Sequence, residues 1–226
     1  MSVPEPQAAA VTMPRTTHAP GIADYPQLVG LAGWRRLAPD IRRRFAEHPD
    51  AVRTIRYSGV MERVGGSWLG AVFAQFCRLL GTPFAPWRAR DVPVAITLKQ
   101  DPLGGTVWER EYRYAGRAPI TVRSSRRQDA DGALRECVAH GFGMRLAVFE
   151  ANRALHFLSL RYFWRIGGRE LLLPELLSPG TAHVIHEDLG DGSFRFSMTV
   201  HHRWFGLLFD QTGVFRQEAA APGVRA

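Results

Sequence analysis

Lysine and cysteine are both scarce in this sequence of 226 residues. Lys99 is the only lysine, although the formal net charge is +8, so nearly all of the positive charge is carried by arginine. No block of five like charges occurs, which favours a solvated basic surface over a nucleic-acid interface. Cys77 and Cys137 are the only cysteines. Two thiols so far apart in sequence are typical of free, buried cysteines in a reducing cytoplasm.

Long apolar runs are missing as well. No segment approaches the roughly 18 apolar residues that a membrane-spanning helix requires. The first residues, Met1-Ser-Val-Pro-Glu-Pro6, do not form a basic segment followed by an apolar one, so we expect no secretory signal. These observations predict a cytoplasmic protein, and they do not favour peripheral contact with a membrane.

Motifs that bind a cofactor or carry a nucleophile are not found. Gly65-Gly66-Ser-Trp-Leu-Gly70 follows a predicted strand and opens a predicted helix, but it lacks the glycine order of a dinucleotide loop. No glycine-rich loop ends in Gly-Lys-Ser or Gly-Lys-Thr, and no Gly-x-Ser-x-Gly elbow occurs. The sequence therefore predicts no cofactor, and it favours a role other than catalysis.

One domain is predicted between two tails. Residues 1–23 are rich in Ala, Pro and Thr and show no periodicity, which is typical of a disordered tail. Residues 24–217 carry regular apolar patterns and form the predicted domain. Residues 218–226 are interpreted as a loose C-terminal tail.

Helical patterns are confined to the first part of the domain. Apolar residues recur every three or four positions from Tyr25 to His48, and Pro39 divides this stretch into two short helices. Another helix is predicted from Trp68 to Leu80, after Ser67 as its N-cap. We expect this helix to pack on the sheet through an apolar face formed by Leu69, Val72, Phe73 and Phe76.

A hairpin from Phe142 to Ile166 organises the rest of the chain. Residues with apolar side chains alternate with others on both sides of a polar joint at 150–153, which is typical of two antiparallel strands. In the second strand, the alternation predicts a buried face made of Leu158, Leu160, Tyr162, Trp164 and Ile166.

The spacing of the strands predicts the fold class. From Val92 onward the chain consists almost entirely of strand patterns separated by turns, for a total of about nine or ten strands. Successive hairpins exclude the alternating strands and helices of a parallel sheet, and a sheet this wide tends to curl. We predict an α+β, β-rich domain: a curved antiparallel sheet or incomplete barrel with two or three N-terminal helices, one of them packed on the sheet.

Five short motifs follow one another in a recognisable order: Leu37-Ala-Pro39-Asp-Ile-Arg42, a strand–glycine–helix unit at Gly59 to Gly81, Trp108-Glu-Arg110-Glu-Tyr112, Gly168 to Pro174, and His202-Arg-Trp-Phe-Gly206. In this order the chain resembles the bacterial "domain of unknown function 4166" family over about Tyr25 to Arg216. Arg203 departs from the pattern, because the family usually has proline there. The family has no assigned activity. Similar domains are sometimes joined to saccharopine-dehydrogenase-like reductases, which implies a reductase partner.

Histidines near the C-terminus raise the question of a metal site. His183 and His186, like the neighbours His201 and His202, point to opposite faces if they lie on strands, so each pair offers one ring to a common site. His183 and His201 are able to meet across neighbouring strands, with Glu187 or Asp210 as a third ligand. We nevertheless interpret these histidines as ordinary surface or core residues and predict no bound metal.

Arg110 is the most informative candidate for a functional site. By strand alternation it shares the apolar face of Trp108 and Tyr112, and a buried guanidinium needs a partner because an unpaired buried charge is costly. Glu136 and Glu187 are the candidate acids. Either the pair is structural, or Arg110 anchors the anionic head group of a ligand. The residues predicted to bind a ligand are Arg110, Trp108, Tyr112, Glu136 and His201.

Several functions are compatible with these patterns. A curled sheet covered by an apolar helix is able to enclose a pocket, which favours binding of a hydrophobic or amphipathic small molecule or docking on a partner enzyme. One alternative is an enzyme of unknown reaction that uses Arg110, Glu136 and the histidines of the sheet. Another is a pure protein-interaction domain of a reductase complex.

Overall fold

Helices are few and short in the computed structural model, which describes residues 21–72 and 87–219. Three of them come first: α1 (Tyr25–Val29), α2 (Leu31–Arg36) and α3 (Pro39–Ala46). Pro39 lies in the first turn of α3, where its missing N–H leaves no helical hydrogen bond unmade. No helix in the described ranges is both long enough and apolar enough to cross a membrane.

Eleven strands make up most of the described chain. In order, they are β1 (Ile55–Gly66), β2 (Ala89–Gln100), β3 (Thr106–Tyr112), β4 (Ile120–Gln128), β5 (Leu134–Cys137), β6 (Phe142–Ala151), β7 (Ala154–Ile166), β8 (Arg169–Leu172), β9 (Thr181–Asp188), β10 (Ser193–His202) and β11 (Gly206–Gln217).

The strands form a single antiparallel sheet that closes on itself. Their order is β6-β5-β4-β3-β2-β1-β11-β10-β9-β7-β8, and β6 also pairs with β7. This additional pairing joins ten of the eleven strands into a ring, while β8 extends β7 beside it. The predicted β-rich, curled antiparallel sheet is confirmed, and within the described residues the barrel is closed by four residue pairs between β7 and β9.

The predicted hairpin from Phe142 to Ile166 is also confirmed. It consists of β6 and β7, and Ala151 pairs with Ala154 across a two-residue turn. Asn152 and Arg153 both have positive φ, at 52° and 65°, as the tight turn between twisted strands requires. The carbonyl of Arg153 accepts a hydrogen bond from the backbone of Ala38, which fastens the helices to this turn.

The buried face that we predicted for β7 is wrong. The five side chains expected to be buried are all at least partly exposed: Leu158, Leu160, Tyr162, Trp164 and Ile166. The buried apolar positions are Leu155, Phe157 and Phe163 instead. Apolar residues occupy both alternating sets of this strand, so alternation alone does not tell which set faces inward.

A β-bulge at Leu160 is the physical reason for Leu158 and Leu160, whereas Trp164 and Ile166 are exposed because they lie at the very end of β7. Arg145 pairs with Arg161, but the next residue of β6, Leu146, pairs with Ser159, so Leu160 is an extra residue without a partner on β6. Its side chain is 60% exposed. A bulge reverses which side chains of a strand point inward, so no single alternation describes the whole of β7.

Most of the helix predicted from Trp68 to Leu80 lies outside the described residues. Residues 68–72 are helical, and the Ser67 hydroxyl accepts a hydrogen bond from Gly70 N at 3.1 Å, as an N-cap does. Leu69 is half-buried, but Val72 is 61% exposed, so its predicted packing against the sheet is wrong. Phe73 and Phe76 lie outside the described part.

The three N-terminal helices cover one end of the barrel, which we call the helical end. Residues 21–23, assigned to the tail above, already contact it: Gly21 pairs with Gln128, and Ala23 is buried. The ring of Phe45 in α3 lies 5.7 Å from that of Phe157, and α3 therefore closes this end with its apolar face. The opposite end, where β1, β7 and β10 finish, is called the far end.

We expect Phe157→Ala to lower the free energy of unfolding by about 3–5 kcal/mol, because it leaves a cavity in the core beneath α3. Leu160→Ala should change it by less than about 0.5 kcal/mol, because the side chain at the bulge is exposed. Urea unfolding of both variants measures the difference, and equal losses would contradict the assigned bulge.

Candidate functional site

Polar side chains meet inside the barrel, on three adjacent strands. β3 contributes Arg110, β4 contributes Ser124 and Arg126, and β5 contributes Glu136. Arg126 pairs directly with Glu136 across β4 and β5. All four point inward because strand alternation places them on the same face as the apolar core residues.

Glu136 is the acid that these groups share. It accepts hydrogen bonds from Arg126 Nε at 2.9 Å and from the Ser124 hydroxyl at 2.7 Å. Arg110 Nη2 lies 3.8 Å from the carboxylate, and Arg110 Nη1 donates to the Ser124 hydroxyl at 3.2 Å. Burial alone would raise the pKa of Glu136, but the charges of Arg126 and Arg110 hold that pKa below its usual value.

The predicted pairing of Arg110 is thereby confirmed for Glu136. Glu187, the other candidate acid, is exposed on β9 and takes no part. The contact to Arg110 is longer than the contact to Arg126, so Arg126 is the main partner of the buried carboxylate. Removing Arg110 would therefore not leave Glu136 alone, which corrects the simple two-residue pair that the sequence suggested.

A third guanidinium enters the interior from the helices. Arg44 of α3 is buried, and its Nη1 lies 3.3 Å from Nδ1 of His186. Its guanidinium stacks over the ring of Phe194, at 3.2 Å from the ring centre, and lies 4.7 Å from the ring centre of Tyr57. Burial lowers the pKa of Arg44 to about 10, so the group still carries its charge at neutral pH.

His186 is neutral in this setting. Arg44 can only donate, so Nδ1 of His186 accepts and the ring proton lies on Nε2. Burial and the nearby charge of Arg44 lower the pKa of His186 well below its usual value. The ring therefore adds a hydrogen-bond donor to the interior but no negative charge.

The interior holds more positive than negative charge. Among the described side chains, three buried or nearly buried guanidinium groups, those of Arg44, Arg110 and Arg126, face one carboxylate, that of Glu136. Removing an ion from water costs several kcal/mol in a protein unless an opposite charge compensates. The rings around Arg44 offset only part of this cost, since one cation–π contact contributes about 0.5–2 kcal/mol.

Several buried donors near this cluster have no partner within the described part of the chain. They are Arg44 Nε, Arg126 Nη1, Trp108 Nε1 and His186 Nε2. Each of these four groups is an N–H donor, and leaving one unsatisfied costs about 1–3 kcal/mol. The hydroxyl of Tyr57, beside Arg44, is also without a partner in this part of the chain, and a further hydrogen-bond acceptor placed here would satisfy the four donors.

Space is available beside the cluster. A cavity of about 20 Å³, enough for one water molecule or one anion oxygen, is bordered by Arg44, Trp108 and Arg126, and also by Tyr25 and Glu47. The side chain of Arg110 keeps 11% of its surface accessible. Inward-pointing Met144 and Met198 are only partly buried and pack against the core. Towards the far end the inward-facing side chains are mainly apolar, and they include Met61, Val64, Val92, Val200 and Phe209.

Four of the five predicted ligand-binding residues come together. Trp108 lies beneath the guanidinium groups of Arg110 and Arg126, at 5.6 and 4.8 Å from its ring centre, and Glu136 lies beside both. Tyr112 follows on the same face of β3, and its hydroxyl donates to Gln211 Oε1 at 3.1 Å. The fifth residue does not join them, because His201 is exposed on the outside of the barrel near the far end.

Sequence reasoning missed Arg44, Arg126 and His186. The sequence contained a signal for Arg126, because it lies two residues from Ser124 and four from Val122 and therefore shares their inward face of β4. Arg110 shares the inward face of β3 with its neighbours in the same way. No local signal distinguishes Arg44 from the two arginines before it, since only the docking of α3 turns it inward.

The histidines near the C-terminus are distributed over both faces. His186 is buried and His183 lies on the outer face, as the strand geometry predicted. His183 Nε2 lies 3.0 Å from Nδ1 of His156, not beside His201. Within residues 21–72 and 87–219, no three His, Cys, Asp or Glu side chains are grouped so as to hold a metal ion.

We expect Glu136→Gln to lower the free energy of unfolding by about 3–5 kcal/mol, because three buried cations would then lack any acid. Arg110→Met should cost less than about 2 kcal/mol, because Arg126 and Ser124 still satisfy Glu136. Urea unfolding of both variants tests this order. A larger loss for Arg110→Met would contradict the assigned roles.

Stability should fall in mild acid because of His186. Its pKa is lowered in the folded barrel and lies near 6.5 in the unfolded chain, so below about pH 6.5 the unfolded chain binds the extra proton. The unfolding free energy then drops by up to about 1.4 kcal/mol per pH unit. His186→Gln should reduce this slope between about pH 7 and pH 5. Both proteins contain the other histidines, so the difference between their two slopes reports on His186 alone. An unchanged slope would contradict a buried neutral ring at His186.

Comparison with known proteins agrees with the order of the sequence motifs. No match was found among curated proteins or among solved structures. A family model described as "Domain of unknown function (DUF4166)" matches residues 37–215. This match extends from Leu37, directly after α2, to Phe215 in β11, and it includes every residue of the buried cluster. The chain belongs to the DUF4166 family.

Proposed function

We propose that the barrel binds an amphipathic small molecule whose anionic head group lies against Arg110, Arg126 and Arg44. The observation that carries the proposal is the combination of excess positive charge with unpartnered N–H donors in the buried interior. A carboxylate or phosphate supplies both missing components at once, because its oxygens are acceptors and carry negative charge.

The chemistry and charge of the donors favour an anion over other classes of ligand. A cation or an amine would add to the positive charge of the three guanidinium groups and would bring no acceptor. A neutral hydrocarbon would leave Arg126 Nη1, Trp108 Nε1 and His186 Nε2 as they are. An anion accepts hydrogen bonds from these donors and also offsets the charge of the guanidinium groups. Such charge-assisted hydrogen bonds are about twice as strong as neutral ones.

The surroundings of the cluster favour an apolar tail on the same molecule. A ring of about eight strands is just wide enough for its side chains to fill, and ten strands enclose a wider section. From Arg110 towards the far end, the inward face is mainly apolar. A head group at the arginines would therefore continue into a hydrocarbon tail directed towards the far end.

A titration with two matched probes tests this function. A long-chain fatty acid with a fluorescent tail and its methyl ester differ only in the charge of the head group. We expect the purified chain to bind the acid, and Arg110→Met to weaken that binding by about tenfold or more, because a charge-assisted contact is lost. Binding of the ester should be weaker and should not depend on Arg110.

Arg123→Met is the matched control, because Arg123 lies on β4 beside the cluster but points outward and is exposed. It should bind both probes as the unmodified chain does. An alkyl phosphate of equal chain length extends the test to the other anionic head group. The proposal fails if neither anion binds, or if Arg110→Met and Arg123→Met bind the fatty acid equally well.

A further inference from the structure

Exposed aromatic and aliphatic side chains are concentrated around part of the far end. We call this surface the far-end rim and define it as residues 68–72, 160–177 and 203–207. It includes large apolar residues that are between 38% and 69% exposed, among them Trp68, Trp164, Leu172, Leu177, Trp204 and Phe205. Of the five Trp and Phe side chains that are exposed in the described part of the chain, four lie here.

The segments of the rim are continuous in space. They follow β1 and β10 and include the second half of β7 at the same end of the barrel, and these strands belong to a row of neighbours in the ring. The backbone N–H of Ser67 donates to the carbonyl of Leu208, which joins the segment at 68–72 to the start of β11. Arg203 Nη1 donates to Glu175 at 2.9 Å, which joins the β10–β11 turn to the segment before β9.

Arginines are interspersed among these apolar side chains. Arg161, Arg165, Arg169 and Arg203 are exposed on the rim. The acids of the same segments are Glu170, which is shared by several arginines, and Glu175. The rim therefore combines a net positive charge with apolar side chains at the tips of turns.

We infer that the far-end rim docks on the surface of an anionic membrane. Trp and Phe side chains flanked by arginines match the boundary between head groups and acyl chains, where aromatic rings insert and guanidinium groups pair with phosphates. Each arginine near an anionic surface adds attraction that salt screens. The apolar groups stand on separate turns with charges between them, which suits a fluid lipid surface better than a flat protein interface.

Docking at the rim does not depend on a ligand in the interior. Binding of small anions to Arg110 and binding of vesicles to the rim are measured separately, so each can fail while the other holds. If both hold, the end of the barrel that faces the lipid is the end towards which the apolar interior extends.

Vesicle co-sedimentation of the full chain provides the test. The probes are vesicles of phosphatidylcholine alone and vesicles in which phosphatidylglycerol replaces part of it. We expect binding to the anionic vesicles that weakens with added salt, and weak binding to the neutral ones. Trp204→Ser combined with Phe205→Ser should reduce the partition constant by about tenfold or more, because two inserted rings are lost. Trp68→Ser, on a different segment, should reduce it as well.

Matched controls lie at the helical end. Val52→Ser combined with Leu103→Ser removes two exposed apolar side chains there and should leave vesicle binding unchanged. Arg161→Gln with Arg169→Gln should weaken binding to anionic vesicles, whereas Arg35→Gln with Arg56→Gln, also exposed, should not. Thermal melting establishes that each variant is folded.

Three results would overturn the inference. One is the absence of binding to anionic vesicles. Another is equal binding by the folded rim variants and the helical-end controls. The third is a concentration-dependent dimer that the rim variants abolish in a chain that does not bind vesicles, since the rim would then be an interface between two copies.

Discussion

The pairing of β7 with β6 on one side and β9 on the other is the constraint on which this architecture depends. Without it the chain would be an open sheet with two exposed edges. With it, ten strands enclose a common interior. A barrel of about eight strands is narrow enough for its own side chains to fill, so a ring of ten strands has a wider interior. Part of that width is occupied by α3, whose Phe45 and Arg44 reach the strands from the helical end.

Closure also determines the electrostatics of the interior. The strand positions that face inward on β3, β4 and β5 include Arg110, Arg126 and Glu136, and the docking of α3 adds Arg44. Charge and donors are thus concentrated beneath the helices, and apolar side chains prevail beyond them. The outer surface shows a related contrast, since four of the five exposed Trp and Phe side chains of the described residues lie at the far end. The cationic interior and the amphipathic rim are each suited to contact with molecules that have an anionic head group and an apolar tail.

The features that the sequence predicted correctly are those that depend on residues close together in the chain. The polar joint at 150–153 between two antiparallel strands, the antiparallel class and the inward position of Arg110 follow from strand alternation. The bulge at Leu160 was missed, because apolar residues occupy both alternating sets of β7 and the choice between them depends on pairing with β6. Arg44 and His186 were missed because their contact joins α3 to β9, and no sequence spacing reports it. His201 was expected at the ligand site because histidine is a common functional residue, but β10 directs its side chain outward, where it is exposed.

Native mass spectrometry of the chain isolated from its own host tests the central claim most directly. If the buried arginines hold an anionic amphiphile, part of the protein should carry one additional mass, which fragmentation identifies as a molecule with a carboxylate or phosphate head and an apolar tail. Chain carrying Arg110→Met and prepared in the same way should lose that mass, and chain carrying Arg123→Met should keep it. A bare protein mass for the unmodified chain, or a retained molecule without an anionic group, would contradict the account.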